Sequence, residues 1–361
     1  MARIEVQGLH KIYGKHVAVQ GLDLEIAAGE LLVLLGPSGC GKTTTLNLIA
    51  GLDAPSSGAI MFDGQDVTGI SAYRRNVAMV FQSALLYPHL TALRNIETSL
   101  RHRGLDRAAR RHRIAEVARM LGIEILLNKL PSELSGGERQ LVATAKAIVR
   151  EPEAFLLDEP LSALDAALRL SLRAELVKLQ KRLGVTTVFV THDQVEAMTM
   201  GDRIAVMSNG RLEQVGTPDE IYNAPVTLFV AGFIGTPPMN LIAGEIVAGQ
   251  FRQGRFSIPV TAPPGPATLG VRPQDVRVVA PGGEGALQVE VFAMEHLGRE
   301  SVLIAESGDG SKMRVLVPAN FRARMGDHLG LLPDSAQCLV FGADGRRVIV
   351  ERGSVSRYAN R

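Results

Sequence analysis

Tryptophan is absent from this 361-residue chain, cysteine occurs twice, and aromatic residues make up only 4% of it. The cysteines, Cys40 and Cys338, lie far apart and form no CxxC pair. That excludes a disulfide framework and a zinc site of the usual spacing. Net charge is also scarce, at +2, so the chain as a whole does not read as a nucleic-acid binder. No apolar run approaches the ~18 residues that a membrane-spanning helix needs. The N-terminal MARIEVQGLH has no signal-peptide core. The expectation is a protein made and kept in the cytosol. Its length suggests two or three domains, with enough chain to bury a substantial core.

Against these absences stands one stretch around which the rest is organised. Gly36 to Thr43 reads GPSGCGKT and fits the phosphate-loop pattern G-x-x-x-x-G-K-[ST]. Leu31 to Leu35 before it is a short apolar run suited to a buried parallel strand. Leu46, Ile49 and Ala50 after it recur at helical spacing until Gly51. Strand, glycine loop and helix form the context that the pattern requires. Gly36, Gly39 and Gly41 allow backbone shapes that a Cβ forbids. The amides of Gly36, Pro37–Gly39, Cys40 and Gly41 then form a cradle for phosphate oxygens, except at the proline, aided by the helix N-terminus. Cys40 matters there for its backbone N–H more than for its thiol. Lys42 reaches for the β- and γ-phosphates, and the Thr43 hydroxyl is a ligand for Mg²⁺. Thr44 follows as a further nucleotide-binding candidate.

Around the loop the chain is rich in punctuation. Ile4 to Leu9 and Leu22 to Ile26 alternate as half-buried strands. Ala59 to Phe62 followed by Asp63-Gly64 predicts a hairpin. Tyr13, beside Gly14, is either a platform for a nucleotide base or a surface tyrosine. Val77 to Phe81 is another apolar strand and delivers Gln82 at its C-terminal end, where ligands collect in parallel sheets. Gln82 is a candidate to touch Mg²⁺ or an attacking water. Thr91 to Arg150 turns helical. Within it Arg101 to Arg113 is strongly basic, with Asp106 placed as an N-cap. A solvated helix face accounts for the charge, with a phosphate- or membrane-facing patch as the other reading.

Leu134 to Gln140 reads LSGGERQ, with Ser135 as N-cap and Glu138 at capping-box spacing. Gly136 and Gly137 at the mouth of that helix make a second anion site. Ala154 to Glu159 is a buried strand ending in two carboxylates. Asp158 is placed to hold Mg²⁺ through water, and Glu159 to orient or deprotonate a water. Ser162 to Asp165 leads into a helix with Leu168, Leu172, Leu176, Leu179 and Leu183 on one face, stopped by Gly184. Thr186 to Thr191 is a β-branched strand delivering His192, either structural or a γ-phosphate contact. Asn209-Gly210 is a strong hairpin signal. Near Thr236-Pro237-Pro238 the helical patterns give way to short strands separated by Gly and Pro. Seven strands are expected there: Gly244–Val247, Phe256–Val260, Thr268–Val271, Leu287–Phe292, Ser301–Ala305, Lys312–Val317 and Cys338–Phe341. They read as a small all-β, barrel-like domain, and Gly353 to Arg361 as a frayed tail.

The second anion site lies far beyond the phosphate loop, and a plain kinase has no use for it. The economical explanation pairs two copies head to tail. Each nucleotide then sits between the phosphate loop of one copy and Ser135, Gly136 and Gly137 of the other.

These motifs, in this order and spacing, resemble the ATP-binding subunits of ABC transporters. The matching positions are Tyr13, GPSGCGKT, Gln82, LSGGERQ, FLLDEP at 155–160, SALD at 162–165 and His192. FVAGFIGTPPMNLI at 229–242 and LGVRPQDV at 269–276 resemble the junction and β-domain of the maltose and glycerol-3-phosphate importer ATPases. The resemblance implies an α/β fold: a phosphate-loop ATPase cassette with a mixed sheet, an antiparallel β subdomain and a helical subdomain at about 89–150. The cassette occupies 1–235, and a C-terminal all-β, OB-like (TOBE-type) domain occupies 236–361.

Function follows from the same resemblance. It implies ATP-driven import of a sugar, polyol or sugar phosphate, with ATP and Mg²⁺ bound and no nucleic acid. Tyr13 stacks on adenine; Lys42 and the loop amides bind phosphates. Thr43 and Gln82 coordinate Mg²⁺, Asp158 supports it, Glu159 activates water, and His192 contacts the γ-phosphate. Ser135 to Gly137 complete the neighbour's site, and Asp165 links the two sites. Leu85 and Tyr87 belong to a groove for a membrane partner. The implied partners are a second copy, two transmembrane permease subunits and, indirectly, an extracytoplasmic solute-binding protein. The implied location is the cytoplasmic face of the membrane. Leu141 and Lys146 stand where family members commonly carry Arg, and FQSALLYPHL departs from the usual FQNYALYPHM. None of these removes a chemical group from the active site. A fused exporter would carry membrane spans, a DNA-repair member a long coiled coil, and a ribosomal member two cassettes.

Overall fold

Apolar alternation at Ile4, Val6 and Leu9 builds β1 (Ile4–Tyr13), which pairs antiparallel with β2 (His16–Ile26). The computed structural model describes residues 2–101, 104–162, 164–283 and 285–348. It divides into two units, Met1–Asp219 and Glu220–Arg361.

The first unit continues with β3 (Leu31–Leu35), α1 (Lys42–Ala50), β4 (Ser57–Phe62), β5 (Gln65–Asp66) and β6 (Val77–Val80). Then come α2 (Ala92–Thr98), α3 (Arg107–Leu121), α4 (Gly136–Ile148), β7 (Ala154–Asp158) and α5 (Ala166–Leu183). It closes with β8 (Thr186–Thr191), α6 (Gln194–Met200), β9 (Arg203–Ser208) and β10 (Arg211–Gly216). Two sheets result. One has four strands in the order β2-β1-β4-β5, the other six in the order β10-β9-β3-β8-β7-β6. In the larger sheet β9, β3, β8, β7 and β6 run parallel, and only β10 is antiparallel. All residues of β3, β7 and β8 are buried. That is why these strands read as continuous apolar or β-branched runs rather than alternations.

The punctuation behaves as the residue types dictate. Asn209 and Gly210 both take positive φ, at 48° and 76°, the geometry of a two-residue type I′ hairpin. Asp106 accepts the amide of Ala109 at 2.7 Å and starts α3. The basic stretch lies partly on that helix, which buries only Ile114, Val117 and Ala118. Residues 102 and 103 of the stretch lie outside the described residues, as does the tail from Gly353.

One residue with no signal in the sequence holds the phosphate-loop helix from behind. The buried guanidinium of Arg75 donates to the carbonyls of Leu48 at 2.7 Å and Ile49 at 2.8 Å in the last turn of α1. It also reaches Ile70 and Thr68. Helix carbonyls otherwise orphaned at the C-terminus are thereby satisfied.

The second unit is all-β after a short helix, Leu228–Phe233. Its strands are β11 (Asn240–Val247), β12 (Gln250–Gln253), β13 (Phe256–Pro259), β14 (Gly265–Val271) and β15 (Val276–Val279), then β16 (Leu287–His296), β17 (Glu300–Ser307), β18 (Lys312–Pro318), β19 (His328–Pro333) and β20 (Leu339–Gly342). They form two five-stranded antiparallel sheets, β13-β12-β11-β14-β20 and β15-β19-β16-β17-β18. The seven expected strands are present, and β12, β15 and β19 are additional. Both sheets contribute to one apolar core that includes Phe251, Leu269, Val291, Leu303 and Leu331. Buried Asn240 ties them at the backbone: its amide donates to the Arg314 carbonyl at 2.8 Å and accepts the Arg314 N–H at 2.7 Å.

Candidate nucleotide site

The site is built on the C-terminal ends of the parallel strands, where open α/β sheets bind ligands. Between β3 and α1 the phosphate loop is wedged from two sides. Gly41 has φ 104°, and a Cβ on it would lie 2.4 Å from the carbonyl oxygen of Ala18. A Cβ on Gly36 would lie 2.3 Å from the carbonyl oxygen of Met207. The hairpin turn fixes the loop further, because Gly210 donates its N–H to the Cys40 carbonyl at 3.1 Å. Gly39 differs: its φ is 78°, and nothing lies within 4 Å of where a Cβ would be. Thus two glycines are required by close packing, and the third leaves open space on the exposed side with Pro37 and Ser38. Burial pushes the Cys40 thiol pKa up, against the pull of Lys42, so the thiol stays neutral and inert.

Lys42 is 5% exposed, and its ammonium donates to the carbonyls of Gly36 at 2.8 Å and Pro37 at 2.9 Å. Thr43 donates its hydroxyl to Asp158 Oδ1 at 3.0 Å. Loop, helix start and the end of β7 therefore meet at one place. Asp158 is 8% exposed. Burial raises its carboxyl pKa above the ordinary value; Thr43 and Lys42 pull it down, and Glu159 adds to the rise.

That raised value carries a stability consequence. An acid whose native pKa exceeds its unfolded one penalises the native state when ionised. The penalty is full above the native value and disappears as pH falls through it towards the unfolded value. Asp158→Asn is thus expected to raise the thermal midpoint of the nucleotide-free protein at neutral pH. The gain should shrink on acidification. Calorimetry across pH checks it. A lowered midpoint at neutral pH would reject the account of Asp158.

Glu159 follows β7 with φ 45°, the left-handed region that a residue with a Cβ seldom adopts. Its N–H donates to the Val190 carbonyl at 3.0 Å, and its carbonyl accepts the Ser162 hydroxyl at 2.9 Å. This turn swings the side chain out of strand alternation. One carboxylate oxygen lies 3.2 Å from His192 Nδ1, and the other lies 3.5 Å from the Gln82 amide nitrogen. That amide also donates to Ser162 Oγ at 3.3 Å. Gln82, Glu159, Ser162 and His192 are brought together from the ends of β6, β7 and β8.

Tyr13 stands 47% exposed on β1. Its hydroxyl donates to Asp53 at 2.5 Å, and Lys11 lies 4.8 Å over its ring while bridging Asp53 at 2.6 Å. The bond to Asp53 raises the Tyr13 pKa, and a side-chain bond with Thr44 opposes it. The ring is thereby oriented beside α1. Sequence reading missed Lys11 and Asp53, whose pairing joins residues distant in the chain. Ser162 lay inside a recognised motif and was not singled out as a contact.

Ser135 caps α4 by accepting the Glu138 amide at 3.2 Å, and Glu138 accepts the Ser135 amide at 2.7 Å. The expected capping box is present. The two glycines that follow do different things. A Cβ on Gly137 would lie 2.1 Å from Leu168 Cδ2, so any other residue there would displace the Leu168 side chain of α5. Gly136 faces open space. Asp165 caps α5, accepting the Leu168 amide at 3.0 Å. Among the described residues, no hydrogen bond or ion pair joins Ser135, Gly136 or Asp165 to the phosphate loop within one chain.

Comparison with known proteins identifies the family of this chain. An ABC transporter family model matches residues 19–162, and a TOBE domain model matches residues 269–341. The chain is 45% identical over 357 residues to the sn-glycerol-3-phosphate import ATP-binding protein UgpC 1 of Rhizobium johnstonii, covering 97% of this chain and 96% of the relative. It is 44% identical over 353 residues to UgpC of Brucella abortus, covering 96% and 99%. It is 43% identical to UgpC of Chromohalobacter salexigens, covering 96% of each. Among solved structures, cbiO1 of Clostridium perfringens, part of the cbiONQ transporter complex, superposes with a TM-score of 0.57 at 31% identity, covering 60% of this chain and 89% of that one. The ATP-binding cassette MJ0796, a dimer in a post-hydrolysis state with ADP and Pi, gives 0.54 at 34% identity, covering 60% and 98%.

Proposed function

Because the chain belongs to the ABC transporter family, as an ATP-binding import subunit, we propose that it hydrolyses ATP between two head-to-tail copies to drive import of sn-glycerol 3-phosphate. The observation that carries this reading is the division of the site. Phosphate-loop, strand-end and histidine groups gather in one chain, while among the described residues Ser135 bonds only within its own helix cap and Gly136 leaves open space beside it. The dimeric cassette holding ADP and Pi supports the pairing. The relatives' shared role in sn-glycerol-3-phosphate import supports the solute. We take 1–235 as the cassette and 236–361 as the β-domain.

In this reading Tyr13 stacks on adenine beside Thr44. The ammonium of Lys42 exchanges two loop carbonyls for the β- and γ-phosphates. Amides of Gly36, Ser38, Gly39, Cys40 and Gly41 surround the phosphates, with Pro37 shaping the turn. Thr43, Gln82 and Asp158 offer hydroxyl, amide and carboxylate oxygens, a hard donor set that suits Mg²⁺ when phosphates supply the remainder. The bound ion would neutralise charge on the phosphates. Glu159 takes a proton from water as its oxygen bonds to the γ-phosphorus and the bond to ADP breaks. His192, held against Glu159, donates to the γ-phosphate. Ser135, Gly136 and Gly137 of the second copy close over that phosphate, and Asp165 links the two sites.

No described helix is long and apolar enough to cross a membrane, so transport requires permease subunits. A cleft of about 230 Å³ between β6, Leu85, Ser99 and Lys146 is the candidate seat for them on the cytoplasmic face. Lys146 fixes its edge, donating to the Leu85 carbonyl at 3.0 Å and lying 4.7 Å over the Tyr87 ring. Purification of the tagged chain from native membranes in mild detergent tests the assignment. Two multi-span proteins should accompany it, and the complex should hydrolyse ATP faster with a solute-binding protein loaded with sn-glycerol 3-phosphate. Recovery with ribosomes or DNA and no membrane protein would overturn transport. Stimulation by a maltose-loaded binding protein alone would overturn the solute.

A further inference from the structure

His192 is flanked on both sides by groups with no role in the chemistry above. Thr191, one residue before it, donates its hydroxyl to Glu196 Oε2 at 2.6 Å and accepts the Asp193 amide at 3.0 Å. Glu196 is 3% exposed, and α5 directs the positive charge of Arg169 and Arg173 towards it. Asp193, one residue after His192, caps α6 through the amides of Val195 and Glu196. Its remaining oxygen faces Arg169 at 3.6 Å. The other arm of the Arg169 guanidinium donates to the Leu164 carbonyl at 2.9 Å. Leu164 immediately precedes Asp165. A single planar cation thus spans the segment entering α5 and the segment carrying the histidine.

We infer that Arg169 is a positioning residue that transmits the state of one nucleotide site to the histidine of the other. The inference rests on the paired-site reading, in which Asp165 borders the neighbouring chain. A shift of Leu164 and Asp165 moves the Leu164 carbonyl. A rigid guanidinium fork hydrogen-bonded there pulls Asp193 with it. His192 is fixed to Thr191 and Asp193 by the chain, so its ring moves relative to Glu159. An interhelical ion pair serving stability alone would have no need to grip the Leu164 carbonyl. Among the described residues the Nε of Arg169 is buried without a partner, so the grip is made by the two terminal nitrogens only.

The test uses the full chain and the ATP dependence of its hydrolysis. The wild type should give a Hill coefficient above 1, and Arg169→Gln should lower it to about 1. ATP binding to the monomer and the melting temperature should be little changed, because the stem still packs. Arg169→Lys keeps the charge but has one compact head for two partners. It should lose cooperativity too, which an ion pair with a merely structural role would not do. Cooperativity retained in both variants would overturn the inference while leaving the paired site standing. A wild type with a Hill coefficient of 1 would overturn the inference alone, whereas a wild type that hydrolyses ATP as a monomer by light scattering would overturn the paired-site reading and the inference with it.

Discussion

Glu159→Gln is expected to lower the ATP turnover number by about a thousandfold while leaving ATP binding intact, since general-base catalysis contributes about 10²–10⁴-fold. Glutamine keeps the length of the side chain, and its carbonyl oxygen can still face Gln82 or His192. What it cannot do is accept the proton of the attacking water. The backbone argues that the loss would be chemical. Residue 159 sits at φ 45°, and that conformation costs glutamine about what it costs glutamate, of order 1 kcal/mol or more. The bonds that fix it, from its N–H to Val190 and from Ser162 to its carbonyl, are main-chain on its side and survive the change. With hydrolysis blocked, ATP stays between two copies. Light scattering in Mg-ATP should then report twice the monomer mass, against a mixture for the wild type. A variant that remains monomeric in ATP and still hydrolyses it would remove Glu159 from the role of base.

Much of this site was legible because its groups are delivered by short strands with sharp ends. β6, β7 and β8 are largely buried apolar or β-branched runs, and each gives way within two residues to a polar side chain. Gln82, Glu159 and His192 were singled out that way, and Lys42 by the phosphate-loop pattern that follows β3. Glycine and asparagine punctuation was equally readable, since Gly41, Gly51, Gly184 and Asn209 adopt positive φ where the pattern broke. The groups that escaped notice act across distance. Arg75 satisfies the last carbonyls of α1 from outside that helix, and nothing in its neighbours in sequence announces this. Gly137 was read as half of an anion site, and the packing of the Leu168 side chain of α5 beside it went unnoticed. Arg169 and Glu196 were not singled out in the sequence. In the second unit, β12 reads QFRQ and β19 HLGLLP. The first is too polar and the second too irregular to show period 2, and both are strands because their neighbours pair with them. Local pattern identifies a strand that carries its own core face; it does not identify one recruited by its partners.

The assignment of Ser135 to a neighbour's site has a test in which two dead proteins make a live one. Ser135→Asp keeps a good N-cap, since aspartate accepts the Glu138 amide as serine does, so α4 should stay folded. It places a carboxylate where the other chain's γ-phosphate would lie, and hydrolysis should fall by at least about a hundredfold through like-charge repulsion in a closed site. The monomer should still bind ATP, because that chain's own Lys42 and phosphate loop are untouched. Lys42→Ala has the complementary defect: it cannot hold phosphates itself but presents an intact Ser135 to its neighbour. Mixed in equal amounts, half the dimers pair one variant with the other. In each of these, one site combines the good loop of the Ser135→Asp chain with the good Ser135 of the Lys42→Ala chain. Hydrolysis should therefore reappear on mixing, up to about a quarter of the wild-type rate per chain if the sites act singly. Less than that would measure how strongly a site depends on its twin, the quantity assigned above to Arg169. Two variants that remain inactive alone and together, yet form mixed dimers with ATP, would mean that both sites must fire. Recovery without dimer formation, or loss of ATP binding by the isolated Ser135→Asp chain, would place Ser135 in its own chain's site and end the head-to-tail reading.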